Sequence, residues 1–256
     1  MPLNLSYEKI KHNYKVDTHT HTIVSGHAYN SIFEMIDAAS QKGVESLFIT
    51  EHGPAMPGSA HPYYFSNLRV IPRDKFPIDV NFGVEANILD TDGNIDITNY
   101  EELKCMDLII ASLHPSATYT PGTVAENTKA VINAIEKNPG ISIIAHPDDN
   151  RVDILYEEIL PVAIEHNVVF ELNNSSNNPD GFRKGARERD LKYLELCKKF
   201  NHPITLGSDA HVAFDICNFE YIIPILNEVN FPDELILNSN ISKLKEFINL
   251  SLKKLK

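Results

Sequence analysis

The histidines of this chain stand where its short apolar runs end. His19 and His21 close the first run two residues apart, a spacing that places both imidazoles on one face of a strand, within reach of one ion. His27 follows in the loop after that run. The ends of later runs carry His52, Glu85, His114, His146, Asp209 and His211. This pattern predicts that the nine side chains share one metal site.

The chemistry of these side chains restricts the metal. Imidazole with carboxylate, and without a thiolate cluster, suits zinc, manganese or iron better than calcium or magnesium. Nine ligands are too many for one or two tetrahedral ions, but they suit three ions if one carboxylate bridges two of them. A catalytic site also keeps one position open for water or substrate. We therefore expect three divalent metal ions, most favourably zinc, with manganese or iron as alternatives.

The elements that must position these ligands alternate along the chain. Apolar runs of the length of buried parallel strands are separated by stretches of helical period. The predicted strands are residues 16–22, 46–50, 79–86, 108–113, 141–145, 168–172 and 203–207. Predicted helices cover residues 31–42, 123–137, 153–166, 186–200 and 241–254, and the first two begin with capping boxes at Ser31 and Thr123.

Repeated strand–helix units indicate parallel pairing, because parallel neighbours need a crossover connection. No linker interrupts the units, so we expect one α/β domain over residues 1–256, a distorted (βα)7 TIM-like barrel. A doubly wound open sheet is the alternative. The ligand-bearing core would cover about residues 16–219, and residues 220–256 would form a C-terminal helical segment. In such a barrel, all strand ends open onto one rim, where active sites lie.

The composition restricts the binding partners and the cellular location that we expect. The 256 residues carry a formal net charge of -12, which disfavours binding to nucleic acid backbone or to an anionic membrane surface. No 18-residue apolar run and no signal-peptide apolar region occur, so we expect a cytoplasmic protein. Three cysteines do not make a disulfide framework.

Five motifs in this order are similar to those of the PHP (polymerase and histidinol phosphatase) superfamily. They are Asp-Thr-His-Thr-His, Thr-Glu-His-Gly, Gly-Val-Glu-Ala-Asn, Ile-Ala-His-Pro and Gly-Ser-Asp-Ala-His. The strings that begin at His27, Phe170 and Arg183 resemble its YcdX-like phosphatase branch. The resemblance covers residues 16–219 and implies a distorted (βα)7 barrel with a trinuclear metal site. It also makes a homo-oligomer plausible.

The resemblance further implies how the ligands divide. The first ion would take His19, His21, Glu85 and Asp209. The second would take Glu85, His114 and His146, with Glu85 as the bridge. The third would take His27, His52 and His211. One position departs from the family, which usually has Asp where this chain has Glu51. We expect the extra methylene to alter a contact that orients His52.

A site of this kind favours phosphate. Three divalent ions less the charges of two carboxylates leave a charge of about +4, which attracts a dianionic ester, and a metal-bound hydroxide forms near neutral pH. We expect hydrolysis of a small-molecule phosphate monoester, with Arg183 and Lys184 gripping the phosphate and His52 or Asp209 protonating the leaving group. Two alternatives stay open. One is a phosphodiesterase or other metallohydrolase using the same ligands, and the other is a non-catalytic metal-binding regulatory protein.

Overall fold

The computed structural model describes residues 5–255, and its strands are all parallel and pair in chain order. This order confirms the nearly closed (βα)7 barrel and excludes the doubly wound sheet, in which the strand order reverses. The strands are β1 Val16–Asp17, β2 Ser46–His52, β3 Asp79–Asn87, β4 Leu108–Ser112, β5 Ile143–Ile144, β6 Val169–Asn173 and β7 Ile204–Gly207.

The helices confirm the five that periodicity predicts, within three residues at each end, and add three short ones. Both predicted capping boxes form, with Ser31 and Thr123 as the capping residues. Within the described part of the chain, no helix is long and apolar enough to cross a membrane. The helices are α1 Ile32–Lys42, α2 Tyr63–Asn67, α3 Tyr100–Leu103, α4 Val124–Lys137, α5 Tyr156–His166, α6 Ala186–Lys199, α7 Ile223–Glu228 and α8 Ile241–Leu252.

Strand β1 is much shorter than the predicted residues 16–22, because the chain leaves the ladder after Asp17. Beyond that point its backbone bonds to two different neighbours. The carbonyl of Thr20 accepts from the amide of Thr50 in β2, and the amide of His21 donates to Ala210 after β7. The segment that carries the first two histidines is therefore wedged between the second strand and the last loop.

The interior of the barrel changes from apolar to polar along each strand. Alternate residues of β4 face the interior, and in chain order these are Leu108, Ile110 and Ser112, followed by His114. The lower, apolar part packs against Leu244 and Ile248 of α8. Because of this alternation, a strand has one face that packs against the helices and one that faces the interior and ends in polar side chains.

Side chains close the gap between β1 and β7, which share no ladder. Asn238 is buried, and its Nδ2 donates to the carbonyls of Val16 (2.9 Å) and Leu206 (2.8 Å). Its Oδ1 accepts from the Leu206 amide at 2.7 Å. Nearer the rim, Asp17 accepts from the amide of Ser208 at 3.0 Å. These hydrogen bonds supplement the backbone bridge between Thr20 and Ala210 and hold the first and last strand ends together.

We expect Asn238→Ala to lower the free energy of unfolding by about 2–4 kcal/mol, because three hydrogen bonds are lost and buried backbone groups stay unsatisfied. Urea unfolding followed by circular dichroism measures the change. The matched control is Asn227→Ala, at an exposed position of α7. If the Asn238→Ala variant is as stable as this control, the closure of the gap between β1 and β7 does not depend on Asn238.

Candidate metal centre

The nine predicted ligands lie together at the carboxyl end of the barrel. His27, His52, His114, Asp209 and His211 line one cavity of about 460 Å³. The other four, His19, His21, Glu85 and His146, are buried beneath it. Each is delivered by the end of its own strand or the residues just after it.

The deepest group consists of His19, His21, Glu85 and Asp209. Nε2 of His19 lies 3.0 Å from Nε2 of His21. The same His19 nitrogen lies 3.4 Å from Oε2 of Glu85 and 3.6 Å from Oδ1 of Asp209. Nε2 of His21 lies 3.5 Å and 3.3 Å from these two oxygens. A ligand at about 2.0–2.2 Å from a tetrahedral ion is about 3.3–3.6 Å from its neighbours. The cluster of His19, His21 and Glu85 is close to this spacing and could hold one divalent cation, with Asp209 beside the two imidazoles.

Hydrogen bonds on the far side of each ring fix which nitrogen carries the proton. Nδ1 of His19 donates to Oε1 of Glu171 at 2.8 Å, because a carboxylate only accepts. Nδ1 of His21 lies 3.0 Å from Oγ of Ser25, whose own hydrogen goes to Glu51. Both Nε2 atoms therefore face Glu85 and Asp209 and are the ring positions that a metal ion would take. Burial alone would lower the pKa of His19, but Glu171, Glu85 and Asp209 raise it well above 6.5, so a bound cation would displace a proton from its Nε2.

Glu85 also faces a second group through its other oxygen. Oε1 lies 2.9 Å from Nε2 of His146 and 3.3 Å from Nε2 of His114. Nδ1 of His114 donates to Oδ1 of Asn87 at 2.7 Å, which leaves its Nε2 as an acceptor. With one oxygen towards each group, Glu85 has the geometry of a bridging carboxylate.

The third group is the most open to the cavity. Nε2 of His27 lies 3.2 Å from Nε2 of His52, and the rings of His27 and His211 are stacked 4.8 Å apart. Nδ1 of His52 also lies 2.6 Å from Oε2 of Glu85. His21, His52 and His211 each offer a ligand atom within 4.8 Å of the others. The third group thus adjoins the first, with His52 between them.

The protonation of the site suits metal binding. Burial alone would raise the pKa of Glu85, but the imidazoles of His114, His52 and His19 hold it well below its ordinary value. Burial also opposes ionisation of Asp209, yet His19, His21 and Arg183 keep its pKa well below the usual range. Both carboxylates are therefore ionised. Burial, with His52 and His211 nearby, lowers the pKa of His21 well below 6.5, so this imidazole is neutral.

Two of the candidate ligands have left-handed backbone conformations, which are uncommon outside glycine. His146 has φ 31° and Asp209 has φ 56°. Asp17 helps to hold the second, because its carboxylate accepts from the amide (3.0 Å) and the hydroxyl (2.5 Å) of Ser208. Asp17 therefore acts on the backbone of the ligand-bearing segments and does not contact a ligand ring.

Sequence reasoning missed Glu171, which joins two of the ligands. Besides its bond to His19, its Oε2 accepts from the backbone amide of His146 at 3.0 Å. Gly207 makes room for this side chain, since a Cβ there would lie 1.8 Å from Oε1 of Glu171. A lone carboxylate facing inward on β6 was the available signal, because the neighbouring strand positions are apolar.

The expected effect of Glu51 on the orientation of His52 is indirect. Its carboxylate is buried and bonds to Thr22 and to Oγ of Ser25, the latter at 2.6 Å, and not to the ring of His52. Ser25 accepts in turn from the backbone amide of His52 at 3.0 Å. Glu51 therefore supports the His21 ring and the His52 backbone through one serine.

The two basic residues expected to grip phosphate differ in placement. Arg183 is buried in the cavity wall, where Nη1 donates to Oδ2 of Asp209 at 3.0 Å. Lys184 is exposed, donates to the carbonyl of Pro179 at 2.8 Å and is not part of the cavity wall. Arg151, which sequence reasoning did not select, lines the cavity and pairs with Asp149.

Known proteins resemble the chain over most of its length. The model of the PHP domain matches residues 17–175. A probable phosphatase of Caldanaerobacter subterraneus subsp. tengcongensis is 41% identical over 240 residues, covering 94% of this chain and 93% of the relative. A probable phosphatase of Caldicellulosiruptor saccharolyticus is 43% identical over 236 residues, covering 92% and 96%.

Solved structures share the fold at low identity. The histidinol phosphate phosphatase of Lactococcus lactis, complexed with zinc, L-histidinol and phosphate, matches with a TM-score of 0.61 and 18% identity, covering 86% of this chain and 95% of that one. A chain of archaeal ribonuclease P bound to mature tRNA matches with a TM-score of 0.56 and 16% identity, covering 92% and 90%.

We expect Glu171→Gln to weaken zinc binding by about 10–100-fold, the range seen when a group that orients a ligand is changed. Glutamine offers one acceptor oxygen, so its amide NH2 must face either the His19 ring or the His146 amide. Competition with a chromogenic chelator measures the affinity. Glu165→Gln, at an exposed position of α5, is the control. Equal affinities in the two variants would contradict the role given to Glu171.

Proposed function

The chain belongs to the PHP domain family, and from this premise we propose that it is a metal-dependent phosphatase of small phosphate monoesters. One observation carries the proposal: acceptor atoms of imidazoles and carboxylates converge at the base of an open cavity. The names of the relatives, probable phosphatases at about two-fifths identity, support the same activity. Membership of the YcdX-like branch stays a prediction.

We assign three divalent ions to the nine candidate ligands, as the resemblance implies. His19, His21, Glu85 and Asp209 would hold the first, and Glu85, His114 and His146 the second. His27, His52 and His211 would hold the third. The two oxygens of Glu85, each directed at a different group of imidazoles, support the bridging role. Zinc suits this donor set best, with manganese or iron as alternatives.

Divalent ions in such a set supply Lewis acidity and a nucleophilic water near neutral pH. The protein supplies position and charge. Arg183 holds the oxygen of Asp209 that points away from the imidazoles, and the rest of its guanidinium lies in the cavity wall. A phosphate seated over the metal site would therefore meet a positive charge that is already fixed in place. Lys184 contributes no contact inside the cavity.

His52 and Asp209 are the two candidates for the residue that protonates the departing alcohol. The pKa of Asp209 lies well below its ordinary value, despite burial, because His19, His21 and Arg183 surround it. A carboxylate of this kind donates protons poorly. We therefore assign Asp209 to ligand binding and retain His52, which lines the cavity, as the candidate acid through the ring nitrogen that the third ion would leave free.

We expect the metal-loaded protein to release inorganic phosphate from monoesters such as p-nitrophenyl phosphate. Removal of metal should cut the rate on the order of a hundredfold or more, since the ions provide the main charge stabilisation. The measurement is phosphate release before chelation, after chelation, and after zinc or manganese is restored. Elemental analysis of natively purified protein should give three equivalents of metal per chain.

The alternatives predict different results in the same assay. A faster rate on bis-p-nitrophenyl phosphate than on the monoester would favour a phosphodiesterase. If His19→Ala hydrolyses the monoester as fast as the unaltered protein, the site is not catalytic and a metal-binding regulatory role is favoured. A rate unaffected by chelation would overturn the metal-dependent mechanism itself.

We expect Arg183→Met to raise KM for a phosphate monoester by about 10–100-fold, because a charge-assisted contact is worth about 1.5–3 kcal/mol. It should also weaken metal binding, since Asp209 loses its partner. Initial rates and chelator competition measure the two effects. Arg187→Met is the control, because Arg187 is exposed and pairs with Glu228 at the surface. Unchanged KM at position 183 would contradict the role in phosphate binding.

A further inference from the structure

The outer half of the cavity is lined by residues other than the candidate metal ligands at its base. Two loops supply much of it, one after β6 and one after β7, beside Met56, Pro115 and Ala117 from other loops. Because the phosphate would occupy the base, these loops would contact the group to which the phosphate is esterified. The polar and aromatic residues of the two loops include Asn174, Asn178, Phe182, Asp215 and Glu220.

Amide donors without partners face the space from the first loop. Asn174 is 5% exposed, and its Oδ1 accepts from the backbone amide of Tyr221 at 3.0 Å. Its Nδ2 has no hydrogen-bond partner within residues 5–255, and the residue lines the cavity. Asn178 repeats the arrangement nearer the mouth, where its Oδ1 accepts from the amide of Asp180 at 2.9 Å. Both side chains are oriented by a backbone amide and present NH2 groups to a ligand.

The loop after β7 carries hydrogen-bond acceptors. The carboxylates of Asp215 and Glu220 line the mouth of the cavity and are exposed, so they remain hydrated. Their negative charge disfavours a second phosphate group on the substrate. An exposed carboxylate is also a weak anchor for a cation, because a surface ion pair contributes little. Their chief contribution is to accept hydrogen bonds.

An aromatic surface completes the lining. Phe182 is 65% exposed, and the guanidinium of Arg151 lies 4.5 Å from its ring centroid. Arg151 uses Nε and Nη2 on Asp149. The ring is therefore held beside a fixed cation while much of it stays open. Such a surface packs against the C–H groups of a ligand.

From these observations we propose that the substrate is the phosphate monoester of a neutral polyhydroxylated alcohol, a sugar or a polyol. The inference rests on the proposed phosphatase activity. Hydroxyl groups both accept and donate, so they match the free amides of Asn174 and Asn178 on one side and the carboxylates on the other. Their carbon chain would lie against Phe182. A cavity of about 460 Å³ suits such a small ligand.

The reaction balances without any further reactant. Water supplies the oxygen that bonds to phosphorus, and the ester P–O bond breaks. The alcohol oxygen takes up a proton, which gives inorganic phosphate and the free polyol. No oxidant, reductant or group acceptor is needed.

The test compares three esters with the same six-carbon chain on the metal-loaded protein: sorbitol 6-phosphate, hexyl phosphate and 6-aminohexyl phosphate. We expect kcat/KM for the sorbitol ester to exceed that for the hexyl ester at least about tenfold, since unpaired polar groups discriminate against the analogue without hydroxyls. Equal values would overturn the inference. A preference for the amino ester would replace it with a cation site. Hydrolysis of none of the three would overturn the proposed function, and this inference with it.

A variant tests the same contact without removing the side chain. Asn174→Asp keeps the acceptor for the Tyr221 amide but removes the two donors. Its added charge repels every phosphate ester equally, so the readout is the ratio of kcat/KM between the sorbitol and hexyl esters. We expect this ratio to fall several-fold, and Asn178→Asp, at an exposed position, should act in the same direction. A ratio unchanged in both variants would overturn the assignment.

Discussion

The convergence of imidazole rings on two buried carboxylates is the constraint on which the rest of the structure depends. Nε2 of His19 and Nε2 of His21 both face Glu85 and Asp209. Buried polar groups this close keep their positions only if each is also hydrogen-bonded on its far side. The surrounding hydrogen bonds serve this purpose, and they explain why so many polar groups are buried around the site.

The supports come from elements that are distant in sequence. Glu171 holds the His19 ring and the His146 backbone, while Ser25 links the His21 ring to Glu51. Asp17 ties the turn before Asp209 to the first strand. The bonds of Glu171 to His19 and of Asp17 to Ser208 cross the seam between β1 and β7, where backbone pairing is limited to the bridge between Thr20 and Ala210. Side-chain bonds therefore supplement the backbone where the two strands share no ladder.

Alternation along parallel strands explains how much of this could be predicted. A histidine at the end of an apolar run must face either the interior or the helices, so the spacing of His19 and His21 indicated a shared site. The residues that support the ligands, which were not predicted from the sequence, follow no such rule. Glu171 lies 152 positions from His19, and nothing in its own neighbourhood reveals that contact. Asn238 closes the seam in the same way, from a segment beyond the last strand.

Adjacent residues show the same limit on prediction from sequence. Arg183 and Lys184 are equivalent as charges in a loop, yet one is buried against Asp209 and the other lies on the surface. The turn that separates them leads to Gly185, which has a left-handed backbone with φ 75° just before α6. The direction of each side chain follows from that turn and not from its charge. Local composition therefore predicted that cations lie near the rim, but not which one enters the cavity.

Metal binding and stability are coupled in a site of this design. Glu85 and Asp209 are ionised groups in a buried region, and Arg183 offsets part of their charge. Divalent ions bound at the convergent acceptors would compensate the remainder, so their binding free energy adds to that of folding. The overall charge of -12 also becomes intelligible. An acidic protein can attract a phosphate ester when the metals make the cavity locally positive while the surrounding surface repels polyanions.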